Sequence, residues 1–104
     1  MANKSTNENL VTGKTSTGIK FTLDKRIKDD ARLLYGLSRI QNEDLELMER
    51  NKALFDLLEL IFGSGEGLGT FLNEVASKHD GVADVTSLMG ELNDMFEALA
   101  VKNS

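Results

Sequence analysis

His79 is the only histidine in the chain and the natural first place to look for chemistry. Nucleophilic catalysis would need a hydroxyl activated by the imidazole and a carboxylate to orient it, and no nucleophile elbow or comparable signature accompanies His79. His79-Asp80-Gly81 reads instead as a helix end, where a cationic ring meets the dipole favourably. With no cysteine and no second histidine, the chain offers no zinc ligand set. Asp80-Gly81 lacks the alternating acids and closing glutamate of a calcium loop. The run Glu43-Asp44-Leu45-Glu46 reads as a solvated first turn of a helix rather than a catalytic carboxylate pair. Gly63-Ser64-Gly65-Glu66-Gly67-Leu68-Gly69 follows a helix and lacks the Lys-Ser/Thr ending of a phosphate loop, so a flexible hinge is expected there. These readings predict a protein that is not an enzyme and uses no cofactor or metal.

Binding is the better prospect. Met48, Met89 and Met95 fall on apolar helical faces, and methionine adapts to irregular partners. The elements that would carry them follow from periodicity. Residues 1–12 are predicted to form a disordered tail, with a short strand at 10–12. Gly13–Thr17 reads as a turn. In Gly18–Asp24, Ile19, Phe21 and Leu23 alternate with polar residues, the pattern of a half-buried strand with Phe21 facing the core. Asp29 and Asp30 suit the start of a helix carrying Leu33, Leu34, Leu37 and Ile40, interrupted by Gly36. Asn42 is the expected N-cap of the next helix. There Leu47, Met48, Leu54, Phe55, Leu58, Ile61 and Phe62 form one stripe, widened by Leu45, Leu57 and Leu60, which predicts burial on more than one side. Leu68, Phe71, Leu72, Val75 and Ala76 mark a third helix. Asp84 caps a fourth, whose stripe is Val85, Leu88, Met89, Leu92, Met95, Phe96 and Leu99. A short connection predicts that the last two helices pair antiparallel.

The expected fold is therefore mainly α: about four short amphipathic helices with a small N-terminal β-strand or hairpin. The expected organisation is a tail at 1–12, a single helical domain with its β element at 13–101, and a C-terminal tail at 102–104. The chain has 104 residues, 40% hydrophobic and 28% charged, close to globular averages and so unlike a wholly disordered chain. The net charge of −5 is unevenly spread: six basic against two acidic groups in residues 1–28, and six against fifteen in residues 29–104. An acidic body argues against nucleic acid as a partner, and Glu91, Asp94 and Glu97 argue against the last helix as a DNA reader. The separated signs favour contact between copies of the chain. No apolar run is long enough to span a membrane, and the polar Met1–Glu8 stretch does not look like a signal peptide.

The order of these segments resembles the tail assembly chaperones of long-tailed, siphovirus-type phages and prophages of Gram-positive bacteria. The resemblance runs over roughly residues 17–100. It rests on Thr17-Gly18-Ile19-Lys20-Phe21-Thr22-Leu23-Asp24, then Arg26-Ile27 and Asp29-Asp30, on Leu57-Leu58-Glu59-Leu60-Ile61-Phe62-Gly63, on Phe71-Leu72, on Lys78-His79-Asp80-Gly81-Val82, and on Met95-Phe96-Glu97-Ala98. The glycine-rich segment and the long N-terminal tail depart from that pattern. The resemblance implies a largely helical, self-associating protein in the bacterial host cytoplasm, absent from the mature virion. Its client would be the tape measure protein, kept soluble while the tail tube assembles, with the tail tube protein as a further candidate partner. Leu88, Met89, Leu92, Met95, Phe96 and Leu99 are the expected partner or self-association surface, with the Met95–Leu99 end the freer of the two. The alternative is a small helical regulator or adaptor acting through protein–protein contacts.

Overall fold

The computed structural model describes residues 9–63 and 65–102. Strands β1 (Leu10–Lys14) and β2 (Lys20–Asp24) form an antiparallel hairpin in which Val11 faces Leu23 and Gly13 faces Phe21. Alternation sends Val11, Phe21 and Leu23 inward, with Ile19 buried just ahead of β2. A side chain at position 13 would begin 3.0 Å from the Phe21 ring, so the bare glycine makes room for that ring. Of the tail expected over 1–12, residues 1–8 lie outside the described residues. Leu10–Thr12 belong to β1, in line with the short strand expected there, so the ordered body begins before residue 13.

A 3₁₀ turn over Lys25–Asp29 leads into helix α1 (Ala31–Gln41). Asp24 and Asp30 cap these two elements, each accepting the backbone N–H two residues on. Hydrogen bonds from the Arg26 and Arg32 side chains hold the two carboxyls down at about 2. Asn42 does not cap the next helix. It closes α1, and its side-chain oxygen accepts the Asp44 N–H at 2.9 Å, a local turn that leaves Glu43, Asp44 and Glu46 in the connection. Helix α2 spans Leu47–Phe62.

The glycine-rich segment expected as a hinge brings α2 and α3 together at a corner. Gly63 and Gly65 take positive φ, and helix α3 (Glu66–Lys78) already begins at Glu66. A Cβ at Gly67 would lie 2.3 Å from the Phe62 carbonyl oxygen, so the two helices meet too closely there for a side chain. Phe62 stacks on Phe71 across the corner, centroids 4.3 Å apart. His79–Gly81 ends α3 as expected, with the Gly81 N–H donating back to the Ala76 carbonyl at 2.7 Å. Asp84 caps helix α4 (Val85–Lys102) through the Ser87 N–H at 2.8 Å. Lys102 therefore closes a helix, while residues 103 and 104 lie outside the described residues.

Among the described residues, four helices and a small hairpin enclose one contiguous apolar core. Helices α1 and α2 pack antiparallel and most closely where Gly36 meets Leu57 and the Ala53 backbone. Leu33, Leu54, Leu58, Phe71 and Val75 join Leu88, Leu92, Met95 and Leu99 of α4 in that core, and the hairpin, which adds Val11, Phe21 and Leu23, packs on α4 through β1. No helix among the described residues is long and apolar enough to cross a membrane.

Candidate functional site

The residues expected to meet a partner are mostly core. Leu88, Leu92, Met95 and Leu99 are 0–2% exposed, and Met89 and Phe96 are half-buried against the same cluster. The expected gradient is also reversed: Val85 at the start of α4 is exposed, while the Met95–Leu99 end is sealed. The cause is the hairpin, which packs on α4 through β1. A stripe read from sequence gives the buried face of a helix but not which end another element will cover.

The two most exposed large apolar side chains lie on α2 instead. Leu47 is 68% exposed, Met48 82% and Phe55 39%, whereas Ala53, Leu54, Leu57 and Leu58 of the same helix are buried. At 100° per residue, Met48 and Phe55 lie two turns apart on one flank, and Phe62, two turns further, carries that flank to the α3 corner. The helix is thus buried on one side only, not on several as its wide stripe suggests. Leu34 and Tyr35 of α1 are exposed as well.

On the face of the α1–α2 pair away from the core runs a groove of about 710 Å³. Gly36, Ala53, Leu57 and Leu60 form its floor. Tyr35 stands on the α1 rim under Arg39, whose guanidinium carbon is 5.6 Å from the ring centroid. Arg39 also reaches Glu49 across the groove at 3.4 Å, and Lys52 pairs with Asp56 at 3.1 Å along α2. These are exposed pairs of small energetic weight.

A second constellation, unforeseen in the sequence, surrounds Glu91, which is 2% exposed. Its Oε2 accepts from the Thr17 hydroxyl at 2.7 Å and lies 2.7 Å from His79 Nε2. An ionised carboxylate only accepts, so Nε2 carries the proton. Thr15 adjoins Thr17, and Ser16 donates both its N–H and its hydroxyl to Asp94 Oδ2 at 2.8 Å. Burial pushes the Glu91 carboxyl up, but the Thr15 and Thr17 hydroxyls and His79 outweigh it and hold the group below its usual value. Asp94 is lowered by the Ser16 backbone and hydroxyl, and Asp84 by Ser87.

The geometry is that of a clamp. Two donors converge on one carboxylate oxygen, tying the β1–β2 turn and the end of α3 to the middle of α4. The Thr17 hydroxyl points its proton at Glu91 rather than at an imidazole lone pair, so it is not arranged as an activated nucleophile. Among the described residues no three acidic or histidine side chains gather as metal ligands. The available signal was position: Glu91 lies three residues after Leu88 and four before Met95, on the apolar stripe itself, where an unpaired carboxylate would be costly. No family model, characterised protein or solved structure matches this chain.

Proposed function

We propose that this protein is a phage tail assembly chaperone that holds an apolar helical segment of the tape measure protein in solution during tail tube assembly. The observation that carries this reading is the uncovered flank of α2, where Leu47 and Met48 project into solvent beside the half-open Phe55. A leucine, a methionine and a phenylalanine at helical spacing form a groove wall for another amphipathic helix without reading its sequence. The resemblance of residues 17–100 to that chaperone family supports the choice of client. The acidic balance of residues 29–104 would keep a loaded complex dispersed. The action is binding rather than catalysis, in the host cytoplasm, and the protein is left out of the finished particle.

The test is solubilisation. A tape measure fragment that aggregates alone should stay clear, by light scattering, when mixed with the wild-type protein. Leu47→Asp/Met48→Asp should lose that protection while keeping the native circular dichroism and melting temperature. The adaptor reading predicts selectivity instead: one partner helix bound tightly and unrelated apolar helices ignored. Unchanged protection by the double variant would reject the α2 flank as the client surface.

A further inference from the structure

The groove between α1 and α2 has rims of opposite charge. The α1 rim carries Arg32 and Arg39 and no acid, while the α2 rim carries Glu49, Asp56 and Glu59 against Lys52. That is +2 facing −2 over an apolar floor of Gly36, Ala53, Leu57 and Leu60. Between the two arginines Tyr35, 63% exposed, stands unburied by this chain.

We infer that this face is the seam of a homodimer, its occupant a second copy of the same chain. This rests on the self-association that the family resemblance implies, and it is tested apart from client binding. A two-fold contact presents the same patch twice, so the patch must complement itself. Two arrangements lay groove on groove. An axis across the helices sets α1 on α1 and brings arginine rows together. An axis along the helices sets α1 of each copy over α2 of the other. In the second, the antiparallel packing of α1 on α2 brings Arg39 toward the partner's Glu49, and Arg32 toward the partner's Asp56 and the partner's Glu59. Charge therefore selects the second arrangement, since like charges set opposite each other are penalised and opposite ones steer association.

The intrachain contacts do not oppose it. Arg32 is held by Asp30 and Arg39 by Glu49, but both pairs are solvent-exposed and can extend to a second carboxylate at little cost. Apolar floor and Tyr35 supply the desolvated centre, the residue type that anchors interfaces. At 100° per residue Met48 and Phe55 lie within about 60° of Lys52 and Glu59 around α2, so the client flank adjoins the acidic rim and turns away from the floor of Ala53, Leu57 and Leu60.

The experiment is sedimentation of the purified protein without client. Wild type should run as a dimer that dissociates as salt is raised, because exposed charges are screened within about 10 Å at 0.1 M. Arg32→Glu/Arg39→Glu makes both rims acidic, and Asp56→Lys/Glu59→Lys makes both basic. Each variant alone should be a folded monomer by circular dichroism and sedimentation, and an equimolar mixture should return to the dimer. Both monomeric variants should still solubilise a tape measure fragment, which separates this inference from the chaperone reading. A wild type that stays monomeric to near-millimolar concentration overturns the inference. So does self-association unchanged in either variant, or a mixture that remains monomeric.

Discussion

Helices α2 and α4 look alike in sequence and differ in what covers them. Each carries seven apolar residues in its main stripe, yet the α4 stripe is sealed along its second half while α2 leaves Leu47, Met48 and Phe55 uncovered. The difference is made by the β1–β2 hairpin, which lies against α4 and, among the described residues, has no counterpart over the start of α2. The hairpin is in turn held by a buried carboxylate on α4. Amphipathicity therefore tells which face of a helix avoids water, and tertiary packing decides how much of that face is left for a partner.

The comparison breaks most severely in the α4 core. Met95→Asp places a carboxylate where the native side chain is fully buried, and loss of cooperative thermal unfolding is expected, not a folded protein that has merely lost an interface. Leu92→Ala is the milder probe, expected to cost about 2–5 kcal/mol by urea denaturation. A folded, unperturbed Met95→Asp protein would return α4 to the surface.

Next in size is the clamp. Glu91→Ala removes the shared acceptor of Thr17 and His79 and should destabilise by about 2–3 kcal/mol, with Glu91→Gln, which keeps an acceptor, costing less. The clamp also fixes the sign of the acid response. Glu91, Asp94, Asp84, Asp24 and Asp30 all bind a proton less readily in the folded chain. The unfolded chain therefore takes up more protons as pH falls. The contribution is complete above the unfolded carboxylate range near pH 4 and disappears as pH drops through the lowered folded values. Melting temperature should fall with pH below about 4, and less steeply in Glu91→Gln. An identical acid slope in wild type and Glu91→Gln would remove Glu91 from the account.

How much of this was legible in the sequence depends on range. Local chemistry was readable: the alternation that buries Ile19, Phe21 and Leu23, the caps at Asp30 and Asp84, and the helix stop at His79–Gly81 all rest on neighbours in the chain. Asn42 misled because the same side-chain oxygen that caps a helix also closes a turn, and nothing local distinguishes the two. The glycines at 63–69 look like flexibility, but Gly67 is there for a close approach to the Phe62 carbonyl. The α4 residues expected at an interface are mostly buried within this chain for a nonlocal reason, since the hairpin that packs on α4 lies about seventy residues away in sequence. The clamp joins Glu91 to Thr17, 74 residues away, and to His79, 12 residues away, although a glutamate within an apolar stripe was a usable hint.

The smallest stability effects are expected on the open side. Gly67→Ala should still be felt, because its Cβ has no room, whereas Met48→Asp should change stability by no more than about 0.5 kcal/mol. The most direct test of the central claim is amide hydrogen exchange of the wild-type protein with and without a soluble amphipathic helix from a tape measure protein. Added protection is expected to concentrate in residues 47–55 of α2, with the amides of 88–99 in α4 unchanged. Protection that appears in α4 while the start of α2 exchanges as before would contradict it.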